Sequence, residues 1–171
     1  MASPFWNFSV AVYGARAVQD ECLTLQDQFG LDVNLVLLCA FTGAVHRVAL
    51  TPDDIASARA LVEPWHKDIV SSLRAVRRRL KTIDMPDTDA AKAAAVLRTQ
   101  GKAVELESER IEQMMLEQWA AARLAARPRG NPRKMILANL QALLAGYRVG
   151  PERITAAEAS QHLIAAALAR I

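Results

Sequence analysis

The chain has 171 residues, 52% of them hydrophobic, and a formal charge of +3. That length suits one domain able to bury roughly 70% of its unfolded surface, while the small net charge excludes polyanion binding by bulk charge alone. The two cysteines, each among apolar helical neighbours, fit small buried hydrophobes better than a disulfide framework, and the abundance of alanine, leucine and arginine over glycine and aromatics predicts an all-α fold.

The first helix is expected to open at Ser3-Pro4, a capping hydroxyl followed by a proline whose fixed φ suits the first turn. Phe5, Phe8 and Val12 form its apolar stripe, and Gly14 is expected to end it. A second helix carries Val18, Cys22, Leu25 and Phe29, with Gly30 where a left-handed closing residue is wanted. Asp32 then stands as the cap of a third helix. From Val33 to Phe41 only Asn34 is polar, so this segment should be a central helix wrapped on all sides, closed by Gly43.

Thr51-Pro52-Asp53-Asp54 combines a capping hydroxyl, a first-turn proline and two acids, and starts a helix expected to kink or end at Pro64. Beyond it Trp65, Ile69, Leu73, Val76, Leu80 and Ile83 keep one stripe, with Arg74, Arg77, Arg78 and Lys81 beside it. The turn-rich stretch 84–89 is the place for a hinge within an otherwise single helical domain spanning 1–171. A long helix over about 90–126 follows, with Leu97, Val104, Ile111 and Met115 expected inside and Glu105, Glu109 and Glu112 expected on a solvated face. Ile136, Leu140, Leu143 and Tyr147 define another helix, and Thr155 caps a final alanine-rich one. The expected architecture is a compact bundle of seven or eight helices around the apolar helix near 32–42.

Charge is banded. Segment 1–50 has two basic and four acidic side chains, and 59–81 has seven and two. In 84–119 there are four basic and eight acidic residues, and in 120–153 seven and one. Such banding can guide self-association or recruit a charged partner. Arg74, Arg77, Arg78 and Lys81 share a helix face and are the candidate partner contacts, for a protein, or more weakly for nucleic-acid or lipid phosphates. The structural alternative pairs that face with the acidic 84–119 segment.

No constellation names a reaction. There is no nucleophile elbow, and no phosphate-cradling glycine loop. Glu63-Pro64-Trp65-His66 spells E-x-x-H, but no second copy exists and a proline lies inside it, so no metal or cofactor is expected. No catalytic residue is assigned, and the chain reads more as a non-enzyme than as an enzyme, with the question left open. The rival is a small-molecule-binding or enzymatic helical domain with a pocket between the N-terminal helices, lined by Trp6, Asp32, Asn34, Trp65, His66 and Arg74. The N-terminus MASPFWNFSV has no basic stretch or long apolar run, which points away from secretion and membrane spanning.

Trp6-x-Phe8-Ser9-x-x-x-Tyr13, Leu25-Gln26-Asp27-x-x-Gly30-x-Asp32-Val33-Asn34-x-x-Leu37, and Trp65 with Leu73-Arg74 and Leu80-Lys81 together resemble a family of small proteobacterial proteins of unassigned function. The resemblance covers about residues 5–83. It implies a bacterial, cytoplasmic protein and brings no catalytic residue or cofactor with it. The leading expectation is a protein–protein interaction domain, adaptor or regulator, with a protein partner or a homodimer.

Overall fold

The apolar segment after Asp32 is helical, and in the computed structural model its surroundings explain why. Residues 3–86 and 88–171 are described; the expected hinge at 84–89 therefore includes one residue, Asp87, outside them. Among the described residues there are eight α-helices of at least eight residues and no strand. By internal contact the chain divides into two units. Unit 1 is Met1–Leu61 with Gln113–Ile171, and unit 2 is Val62–Glu112.

In unit 1, α1 (Pro4–Tyr13) begins at Ser3, whose Oγ accepts from the Trp6 N–H at 3.0 Å, and buries Phe5, Phe8 and Val12. Helix α2 (Arg16–Phe29) buries Val18, Cys22 and Leu25. It closes on Gly30 at φ 70°, the left-handed conformation that glycine adopts without a Cβ penalty. Helix α3 (Val33–Phe41) buries eight of its nine residues. It is enclosed by α1, α2, α7 (Pro132–Gly146) and α9 (Gln161–Leu168). Phe41 stacks on Phe5 at 5.0 Å between ring centroids and meets Phe8 edge-on at 5.3 Å.

Gly43 does not close this helix. The chain continues as a π-helical turn over Thr42–His46 and stops at Arg47, which takes the left-handed conformation at φ 62°. Gly43 serves contact instead, since a Cβ there would lie 2.5 Å from the Ile136 backbone nitrogen of α7. The seam is fastened by Asn139, which has no solvent exposure. Its Nδ2 lies 3.2 Å from Cys39 O, 3.1 Å from Thr42 Oγ1 and 3.0 Å from Val48 O, and its Oδ1 accepts from the Leu50 N–H at 2.7 Å.

Helix α4 (Pro52–Trp65) starts with a reciprocal cap. The Thr51 N–H and hydroxyl both donate to Asp54 Oδ2 at 2.8 Å, and the Asp54 N–H donates back to Thr51 Oγ1 at 3.2 Å. Arg127 clamps the same carboxylate with bonds of 2.8 and 2.9 Å. Near the other end of the chain, Thr155 caps the single turn α8 (Ala156–Ala159) before α9.

Unit 2 takes in the end of α4, a π-helical turn over His66–Val70, α5 (Ser71–Thr82) and the first part of α6 (Asp89–Leu124). Pro64 lies inside α4 without ending it, and the wider turn that begins two residues later is where the helix departs from regular α geometry. The buried face of α6 is not the expected one. Leu97 and Val104 are more than half exposed, while Glu105, Ser108, Glu112, Leu116, Ala120 and Leu124 are buried at spacings of three and four.

Gly43→Ala is expected to destabilise the protein by at least about 3 kcal/mol, because α7 backbone rather than a flexible side chain occupies the space. Urea denaturation followed by far-UV circular dichroism checks this; a cost under about 1 kcal/mol would show that the α3–α7 seam yields easily.

Candidate functional site

The polar residues singled out in the sequence fall into two groups, one in each unit. In unit 1, Asp32 is buried and its Oδ1 accepts from the Asn34 N–H at 2.8 Å, the expected cap. Its own N–H points to the Tyr147 hydroxyl at 3.4 Å. Asn34, also buried, accepts at Oδ1 from Gln113 Nε2 at 2.8 Å. Trp6 is half-buried in the first turn of α1, next to Phe5, whose N–H donates to Glu117 at 3.1 Å. The cavity among Leu25, Leu31, Leu140, Leu143 and Leu144 has a volume of about 10 Å3, the threshold for one water molecule and far below a metabolite site.

In unit 2, Trp65, His66, Arg74 and Arg77 meet one row of acceptors on α6. Trp65 donates its indole N–H to the Ser108 carbonyl at 3.0 Å, and His66 Nδ1 lies 3.2 Å from Glu112 Oε2. Arg74 reaches Glu105 with Nε at 3.1 Å and Glu109 with Nη2 at 2.7 Å. Arg77 donates to both oxygens of Glu105. His66 meets Glu112, Arg74 meets Glu109 and Glu105, and Arg77 meets Glu105, so the two arms run antiparallel and are bridged by side chains.

The charges are tuned by this row. Burial raises the Glu105 carboxyl, but hydrogen bonds and charge from Arg77 and Arg74 outweigh it and leave it below its ordinary value. Glu109 goes the other way: burial lifts it, and the charge and hydrogen bond of Arg74 do not compensate fully, with Glu105 and Glu112 nearby. The pairing with the acidic segment is thus realised by Arg74 and Arg77.

Ser108 and Gln113 carry no sequence signal of their role, and Glu105, Glu109 and Glu112, expected on a solvated face, are acceptors instead. The available signal was charge matching. Acids at 105, 109 and 112 share a stripe, and basic residues at 74 and 77 share the facing one.

The fold is all-α, with these polar side chains gathered in the two groups described above. The chain belongs to the family described as protein of unknown function (DUF2390), whose model matches residues 4–116. No curated protein and no solved structure matches the chain significantly.

Glu105→Gln removes the shared acceptor of two guanidinium groups and is expected to cost about 2 kcal/mol at pH 7, a buried-pair value discounted for the partly exposed Arg77. A carboxyl held below its ordinary value of 4.5 contributes fully above that pH and loses its contribution as pH falls through the folded value. Urea denaturation at pH 7 and pH 3 should therefore show the wild type and variant converging in acid. A gap unchanged between the two pH values would contradict the ion-pair reading.

Proposed function

We propose that this protein works through protein–protein contact, as an adaptor or regulatory domain of a bacterial cytoplasm, and that the hairpin of unit 2 is the surface offered to the partner. The observation that carries this reading is α5: it buries none of its twelve residues, yet Leu73, Val76 and Leu80, continued by Ile83, recur at the spacing of an apolar helix stripe. Eight of the fourteen large apolar residues exposed among the described ones belong to the 51-residue unit 2. Only Val62 and Val70 of that unit are fully buried apolar residues. Val76 and Val96 are each 58% exposed, and Leu97 and Val104 lie on the other arm. Apolar surface concentrated in this way marks an interaction site more often than a solvated one.

The chemistry of the partner follows from the flanking charges. Arg78, Arg79 and Lys81 are exposed beside the stripe, so the surface suits a helix that pairs apolar residues with acidic ones. Two buried, unpaired cysteines accord with a reducing compartment, and no helix among the described residues is long and apolar enough to cross a membrane. The rival readings are weaker. Asp32, Asn34, Trp65 and Arg74 already make hydrogen bonds within the chain, which accounts for them without a ligand. Glu105 and Glu109 engage Arg74 and Arg77, which thins the face that phosphate binding would need.

A photo-reactive side chain placed at Val76 or Leu97 in cells expressing the protein should give a discrete covalent adduct, and one at Leu23 of unit 1 should not. Arg78→Glu with Arg79→Glu should lower the adduct yield several-fold. An adduct of twice the chain mass would identify a second copy, and another mass a different protein. No adduct at 76 or 97 above the level at 23 would overturn the proposal.

A further inference from the structure

Four carboxylates are buried among the described residues, and one of them is poorly compensated. Asp32 accepts from a helix N–H, Asp54 from Thr51 and Arg127, and Glu105 from Arg74 and Arg77. Glu112 has no exposure at all, yet its Oε1 has no hydrogen-bond partner among the described residues and its Oε2 lies 3.2 Å from an imidazole nitrogen. Withdrawing a carboxylate from water costs several kcal/mol unless charge or hydrogen bonds replace the lost solvation, and a single imidazole N–H satisfies one of four lone-pair directions. Glu109, one turn earlier on α6, adds a second acid to the same neighbourhood.

We propose that unit 2 holds a divalent transition-metal ion at this pair, with His66 Nδ1 and the Glu112 carboxylate as ligands and oxygen donors, including water, completing the shell. The separation fits. Two donors each about 2.1 Å from one ion and 3.2 Å apart subtend about 100° at it, between the octahedral and tetrahedral angles. A mixed nitrogen and oxygen donor set suits Zn2+, Mn2+ or Fe2+ better than Ca2+ or Cu+. The ion would supply the positive charge that the buried carboxylate lacks and engage its unpartnered oxygen. The 3.2 Å separation of His66 Nδ1 and Glu112 Oε2 suits a hydrogen bond and equally two neighbouring metal ligands. This inference does not depend on the hairpin meeting a partner.

The test is titration of ZnCl2 and MnCl2 into the EDTA-stripped full chain, followed by calorimetry and thermal melting. We expect saturation at one ion per chain and a higher melting temperature with the ion than without. His66→Asn and Glu112→Gln should each weaken binding at least about tenfold, whereas Glu107→Gln, at an exposed position on the same helix, should not. Metal-free Glu112→Gln should melt no lower than metal-free wild type, because it removes an uncompensated buried charge. If that variant fails to fold, His66→Asn, at a half-buried position, decides the matter alone. Absence of saturable binding by the wild type, or binding that survives His66→Asn unchanged, would overturn the proposal.

Discussion

The structure of unit 1 rests on enclosing α3. Eight of nine residues in that helix are withdrawn from water, and a helix apolar on every side has no solvent face to offer. It must be met from all directions, which draws in α1 and α2 from before it and α7 and α9 from a hundred residues later. Those long-range contacts carry a large loop-closure cost, repaid by a dense apolar core. Gly43 sets how closely α7 approaches, and Asn139 satisfies the backbone groups left open where the helix widens into its π-helical turn.

Unit 2 is built on the opposite principle. Its arms are tied by long polar side chains, and its apolar residues largely face outward. Buried ion pairs contribute little net stability, since desolvation consumes most of the Coulombic gain, but they fix the register of the pieces they join. A segment held in that way keeps its exposed stripe in a defined arrangement without spending the stripe on its own folding. That division of labour is the physical basis of the contact function proposed for unit 2.

Local signals were legible. Ser3, Asp32, and Thr51 with Asp54 cap the helices they were expected to cap, and Gly30 takes its left-handed conformation, whereas Thr155 caps the single turn α8 and not the final helix α9. The expected apolar stripes of α1, α2 and α7 are buried at Phe5, Phe8, Val12, Val18, Cys22, Leu25, Ile136, Leu140 and Leu143. Harder to read were positions whose role is set by a distant partner. Gly43 looks like a helix terminator until the α7 backbone stands against it. Asn139 interrupts an apolar stripe in a way that only the carbonyls of Cys39 and Val48 explain. On α6 the expected faces were exchanged: Leu97 and Val104 face solvent while Glu105 and Glu112 are inside, because guanidinium and imidazole groups 28 to 46 positions away receive them.

Amide hydrogen exchange measures the contrast between the two units most directly. Residues 34–41 of α3 and 136–144 of α7 should exchange only through global unfolding, and α5 should exchange orders of magnitude faster through local opening. Protection of α5 equal to that of α3 would contradict the account, since it would show that the hairpin's stability does not depend on burying its outer stripe.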